Sequence, residues 1–175
     1  MLQRTISQLA RLEQEIILVL RQGQISPRLL SSQNVKTTAD LYPSNGPLVG
    51  IYSGLKASGN GFSLAVACDM PFLNVDLLRY MVGLAPGFDV VIPRIGGLTE
   101  PLHAVYAKSC LGTIEDMMKR GDFVVYKLLE QVKVRYVEES EINSFDPEHL
   151  SFFNINTSAD LEKAEQIMIR EGAVQ

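Results

Sequence analysis

The stretch Leu64-Ala65-Val66-Ala67-Cys68-Asp69-Met70-Pro71-Phe72-Leu73 constrains the fold most, because an unbroken apolar run ends in one carboxylate and then a proline. A strand without polar alternation reads as a central parallel strand covered on both faces. In open α/β sheets, ligands bind beyond the carboxyl ends of such strands, so Asp69 is the first functional candidate. A competing reading makes Asp69 a cap for the following segment, with Asn74 or Asp76 starting a helix.

The flanking sequence alternates helical and strand patterns. Leu2, Ile6, Leu9 and Leu12 recur at helical spacing before the β-rich run Ile16–Leu20. A short helix is expected near Pro27–Ser31, a strand at Val35–Thr37, and a helix from Pro47 to about Lys56, with proline where its missing N–H costs nothing. After the strand at Phe62–Cys68 come a helix from about Asn74 to Val82 and a second buried strand at Asp89–Pro93. Pro101 predicts edge or irregular pairing for Glu100–Tyr106, and Ser109 is expected to cap a helix that stops at Gly121. A weaker helix at Phe123–Gln131, a half-buried strand at Lys133–Val137 and a final amphipathic helix after the capping-box-like Thr157–Asp160 complete the pattern.

Such alternation predicts a mostly parallel sheet with helices on both faces. Asp40, Gly46, Asp69 and Asn156 then fall at strand ends or in the loops after them, along one edge of the sheet. Gly46, Gly50 and Gly54 are spaced by four and share a helix face. Close packing against the sheet is expected at Gly54, and ligand approach at Gly46, beside the helix start.

At 175 residues, 46% of them apolar, the chain suits a single domain over 1–175 with a substantial core. Its net charge of −4 and lack of a basic cluster interleaved with aromatics argue against nucleic-acid binding. Glu13 and Glu15 interrupt the early apolar pattern, so no secretory signal is read. No apolar run approaches the roughly 20 residues needed to cross a bilayer. Cys68 and Cys110 have no CxxC spacing, which fits a reducing cytoplasm and leaves Cys68 as a small core residue. The acidic run Glu138, Glu139 and Glu141 reads as a solvated loop.

Four motifs in order, namely Asp40 with Gly46-Pro47-Leu48-Val49-Gly50 and Gly54-Leu55, Cys68-Asp69-Met70-Pro71-Phe72-Leu73, Pro101-Leu102-His103-Ala104-Val105-Tyr106, and Asn154-Ile155-Asn156-Thr157-Ser158-Ala159-Asp160, closely resemble the molybdenum cofactor guanylyltransferase (MobA) family. The resemblance covers Leu2 to Ala164. It implies a Rossmann-like three-layer α/β/α nucleotidyltransferase fold, cytoplasmic localisation, and Mg²⁺-dependent transfer of GMP from GTP to molybdopterin with release of pyrophosphate. By the same resemblance Asp69 is the Mg²⁺-binding and catalytic carboxylate, Asp40 contacts the guanine nucleotide, and Gly46 and Pro47 line its site. Asn154 and Asn156 line the cleft on the molybdopterin side. Contacts with molybdoenzymes or other cofactor-biosynthesis proteins are implied; nucleic acid and membrane are not. His103 matches a motif position of unassigned role, and a packed, hydrogen-bonded histidine is the more ordinary reading.

Family members open with a strand and a glycine-rich Leu-Ala-Gly-Gly loop followed by basic residues that hold the triphosphate. Met1-Leu2-Gln3-Arg4 aligns inside the first helix instead, so a sheet with its first strand absent, and an N-terminally truncated domain, are expected. Losing three charge-assisted hydrogen bonds of about 1.5–3 kcal/mol each would cost more than about a thousandfold in transition-state stabilisation, so the expectation is either a start placed too late on an otherwise ordinary gene, the favoured reading, or a genuine short form, inactive as written. The alternatives are a cytidylyl- or other nucleotidyltransferase of the same fold, or a non-catalytic binding or assembly partner.

Overall fold

The computed structural model describes residues 2–25, 35–43 and 46–172. Helix α1 (Leu2–Ala10) leads to β1 (Ile16–Leu20), which pairs in parallel with β2 (Val35–Ala39) from Ile16 opposite Val35 to Leu20 opposite Ala39. The helix expected near Pro27–Ser31 lies outside the described residues. Next come α2 (Pro47–Ala57), β3 (Phe62–Val66), α3 (Val75–Gly83), β4 (Val90–Ile95), β5 (Leu98–Thr99) and β6 (His103–Ala107). The chain continues through α4 (Cys110–Lys119), α5 (Val125–Leu129), β7 (Val134–Glu138), α6 (Glu139–Ile142), a 3₁₀ turn at Leu150–Phe152, and α7 (Ser158–Gly172).

Strand β6 lies between β3 and β4 and is antiparallel to both, while β7 pairs with β4 in parallel. Apart from β6 and the two-residue hairpin strand β5, the strands of this sheet run one way. The edge pairing expected from Pro101 is corrected. Pro101 stands in the turn before β6, where its missing N–H interrupts no ladder, and the Tyr106 hydroxyl donates to its carbonyl at 2.8 Å.

Alternation along the strands divides the core into two layers. Val90, Ile92, Ala104 and Tyr106 face α2, α4 and α5, whereas Val91 and Val105 face Leu77 and Met81 of α3. Met70, Leu73 and Leu78 extend the second layer beneath Leu9 and Leu12, beside α1. The result is the three-layer α/β/α arrangement. Helix α2 buries Leu48, Val49, Ile51, Tyr52 and Leu55, each contributing roughly 1.5–3 kcal/mol. Among the described residues no helix is long and apolar enough to cross a membrane.

The sheet is in two parts. Near its start α1 is anchored at the carboxyl end of β3, where Thr5 donates to the Met70 carbonyl at 3.2 Å and Arg4 to that of Pro71 at 2.8 Å. It leads on to β1. Between β1 and β3 is an open slot of about 780 Å³ lined by Ile16–Val19 of one strand and Phe62–Val66 of the other. Among the described residues no strand bridges β1 and β3. Helix α2 spans it: a Cβ on Gly54 would lie 3.5 Å from Val19, while Leu55 packs with the core beneath β6.

Four local expectations change. Ser109 occupies the start of α4 without capping it, because its hydroxyl donates to Asp89, whose carboxylate also accepts the Lys133 N–H. The acidic run is structured: Glu138 closes β7 and pairs with Arg94, and Glu141 accepts from Arg135 and from the Tyr80 hydroxyl while completing a capping box. Cys68 is exposed rather than core. His103 is wholly buried and packed on Phe152 at 4.7 Å, but neither ring nitrogen has a hydrogen-bond partner among the described residues.

Burial pushes the His103 pKa down from 6.5 to about 4, so the folded chain holds the imidazole neutral. Between those values the unfolded chain binds a proton that the folded chain refuses. Stability contributed by the neutral ring is therefore complete above pH 6.5 and falls by roughly 3 kcal/mol as the pH approaches 4. Replacing His103→Leu is predicted to flatten this slope, so that melting temperatures of parent and variant diverge in the variant's favour between pH 7.5 and 4.5. A constant difference over that range would contradict a buried neutral imidazole.

Candidate active site

Asp40 follows β2, with its N–H donating to the Leu20 carbonyl at 2.7 Å and its own carbonyl accepting from Gln22 at 3.0 Å. The next N–H, of Leu41, donates at 3.0 Å to the Ser53 hydroxyl, which donates in turn to the Val49 carbonyl at 2.8 Å. Ser53 thus fastens the Asp40 loop to α2. One Asp40 carboxylate oxygen is buried without a partner among the described residues. Burial pushes the Asp40 pKa up, partly offset by the nearby Ser53 hydroxyl and the charge of Arg21.

Gly46 is the cap residue of α2 and Pro47 its first helical residue, both exposed. No side chain caps this end, leaving its first N–H groups open to an anion. Gly46 has φ +150°, ψ 160°, a conformation largely reserved for glycine, yet an added Cβ would meet only the Phe123 carbonyl oxygen, at 4.0 Å. Backbone freedom, rather than space, is what this position requires.

Asp69 is half-buried in the turn after β3. Its carboxylate forms no ion pair or hydrogen bond among the described residues. Asn74, not Asp69, caps α3, accepting from the N–H groups of Asp76 and Leu77 at 3.0 Å each. Two threads bring the carboxyl-terminal segment here. The Asn74 N–H donates to the Ser151 hydroxyl at 2.9 Å, and the Ile155 N–H donates to the Asp69 carbonyl at 3.1 Å. The Asn154–Asn156 segment is therefore held against the Asp69 turn. Asn154 has a buried side-chain oxygen without a partner among the described residues, whereas Asn156 is exposed and its N–H donates to the Asp160 carboxylate at 3.2 Å.

The candidates form two groups: Asp40, Gly46 and Pro47 with β2 and α2, and Asp69, Asn154 and Asn156 at the end of β3. β1, which Asp40 is bonded to, and β3 line the two sides of the slot. Sequence reasoning missed Glu100. This half-buried carboxyl has its pKa raised by burial and by the charge of Asp69, against the pull of the Leu102 N–H. Its signal was the Glu-Pro pair before β6, to which no chemistry was assigned. Among the described residues no three His, Cys, Asp or Glu side chains gather as a metal site. A hard cation that keeps several waters and takes substrate phosphates as ligands needs only one or two carboxylates, and Asp69 meets that requirement.

The sequence and fold agree with known proteins. Over 174 residues the chain is 34% identical to a protein of Peptoclostridium acidaminophilum named probable molybdenum cofactor guanylyltransferase, covering 95% of this chain and 77% of that one. Over 133 residues it is 38% identical to a molybdenum cofactor guanylyltransferase of Desulfosudis oleivorans, covering 75% of this chain but only 66% of the relative. Among solved structures it resembles the molybdopterin-guanine dinucleotide biosynthesis protein A of Archaeoglobus fulgidus, with a TM-score of 0.69 and 34% identity over 77% of this chain and 69% of that one. A family model described as the MobA-like NTP transferase domain matches residues 1–136, and the chain belongs to that family.

Proposed function

We propose that this protein is a nucleotidyltransferase that moves GMP from GTP to molybdopterin and releases pyrophosphate. Family membership and the names of the relatives support the reaction class. The observation that carries the reading is the junction of the two motif segments, with the Ile155 N–H hydrogen-bonded to the carbonyl of Asp69 at 3.1 Å. It joins a carboxylate suited to Mg²⁺ to amide side chains suited to a polar acceptor substrate.

In this reaction the terminal phosphate of molybdopterin attacks the α-phosphorus of GTP. One phosphorus–oxygen bond forms there as the bond to the β-phosphate oxygen breaks. The attacking phosphate is already ionised, so no general base is needed, and catalysis rests on positioning and charge neutralisation. Asp69 is the residue that would hold Mg²⁺, which would supply that neutralisation when bound. Asp40 offers a partly buried carboxylate to the hydrogen-bond donors of the guanosine, and the open start of α2 offers N–H groups to its phosphates. Asn154 and Asn156 offer amides to molybdopterin.

The test is pyrophosphate release from GTP, with CTP as control, in the presence of molybdopterin and Mg²⁺. In a form extended by the strand and glycine-rich loop that family members carry, substitution Asp69→Asn keeps the side-chain shape and removes the charge, so turnover is predicted to fall by at least about a hundredfold with the melting temperature preserved. Unchanged turnover at limiting Mg²⁺ would remove Asp69 from the site. For Gly46→Val, strain of about 1–3 kcal/mol is predicted to lower stability, and the displaced helix start to weaken GTP binding as well. An unaltered melting temperature would show that the backbone conformation at Gly46 is not required.

A further inference from the structure

A smaller cavity, of about 250 Å³, opens at the carboxyl end of β4, lined by the apolar side chains of Ile95, Leu98 and Phe152 and by the polar groups of Glu100 and His149. Strand β6 is antiparallel to both β3 and β4, so those two run the same way and end at one edge of the sheet, two strand spacings or about 10 Å apart. Two backbone threads join the cavity to the Asp69 turn. The Ala67 N–H, two residues before Asp69, donates at 2.9 Å to the carbonyl of Leu102, two residues after Glu100. The segment that brings Phe152 to the cavity reaches the Asp69 carbonyl three residues later, through the Ile155 N–H. Glu100 is held on both sides of its backbone: its N–H donates to the Pro93 carbonyl at 3.4 Å and its carbonyl accepts from the His103 N–H at 3.1 Å. Its half-buried carboxylate accepts from the Leu102 N–H and has no ion pair among the described residues, which leaves acceptor positions open on both oxygens.

We propose that this cavity receives the pterin ring of molybdopterin and that Glu100 selects the ring by its donor edge, an inference that rests on the transfer proposed above. A pterin presents two adjacent donors, the ring N3–H and the 2-amino group, which meet the two oxygens of one carboxylate as a bidentate pair. Its flat body suits walls of Ile95, Leu98 and Phe152. The volume falls below the roughly 300–1,000 Å³ of pockets that enclose a whole drug-sized ligand, so it admits a ring system rather than a nucleotide. Guanine carries the same donor edge, and the topology separates the two sources. Asp40 is bonded to β1, across the slot from β3, whereas Glu100 lies on the opposite side of β3, toward β6 and β4. The Asp69 turn stands between them. A nucleotide held on the Asp40 side and a pterin held on the Glu100 side bring their phosphates together at Asp69, where the transfer takes place.

The test titrates the whole chain at neutral pH with pterin and with lumazine, the analogue bearing a 2-oxo group in place of the 2-amino group, and follows each ligand's own fluorescence. The chain contains no tryptophan to interfere. Pterin is expected to bind one-to-one and at least about tenfold more tightly than lumazine, whose 2-oxo group turns an acceptor toward the carboxylate. Substitution Glu100→Gln offers one donor and one acceptor, which match lumazine, so the preference should vanish or invert with the melting temperature unchanged. Absence of saturable pterin binding, equal binding of the two ligands by the parent, or a preference that survives Glu100→Gln would overturn the proposal. So would displacement of pterin by an equal concentration of guanosine but not of inosine, since guanine would then be the occupant. Pyrophosphate release, measured alongside, separates this inference from the reaction on which it rests. Selective pterin binding without release keeps the cavity assignment and removes the reaction, whereas release without selective pterin binding does the reverse.

Discussion

A strand buried on both faces must also be paired on both edges, because no water reaches its amide groups to replace a missing neighbour. The sheet meets this rule at β6, which is fully buried and hydrogen-bonded to β3 and β4, and fails to meet it between β1 and β3. Much of the architecture follows from that contrast. The well-paired half carries both core layers and the Asp69 turn. The β1–β2 pair is attached to it through helices α1 and α2 rather than through a ladder, so side-chain packing performs a task that backbone hydrogen bonding performs elsewhere.

The division runs through the candidate site as well. Asp40 and the start of α2 belong to one part, fastened by the buried Ser53 hydroxyl; Asp69, Asn154 and the Ile155 contact belong to the other. Each group is well supported locally by bonds from residues with no chemistry of their own, such as Ser53, Asn74 and Ser151. The spacing between the groups depends on α2, whose bare positions Gly50 and Gly54 face the slot and give it few side chains with which to set that distance.

The sequence made the alternation of elements legible because buried strands and amphipathic helices leave different periods, and it made Asp69 legible because an apolar run ended there in a charge. It misled where tertiary partners decide the outcome. Pro101 looked like an obstacle to pairing and stands one turn before the strand. Ser109 had a better acceptor in Asp89 than the backbone of its own helix. Glu138 and Glu141, read as solvated, find Arg94, Arg135 and Tyr80 across elements far apart in the chain. Glu100 escaped notice because the burial that raises its pKa is created only by folding.

Cys68 gives the molecule a reporter of its own. It is exposed beside Asp69 and lines the slot, whereas Cys110 is buried, so the two thiols divide cleanly between accessible and protected. Partial desolvation and then the charge of Asp69 push the Cys68 thiol up, which keeps the reactive thiolate scarce at neutral pH. Whatever neutralises Asp69 also relieves part of that bias. The rate at which one native sulfur is alkylated therefore becomes a readout of charge at the end of β3, obtained without introducing a probe into the chain.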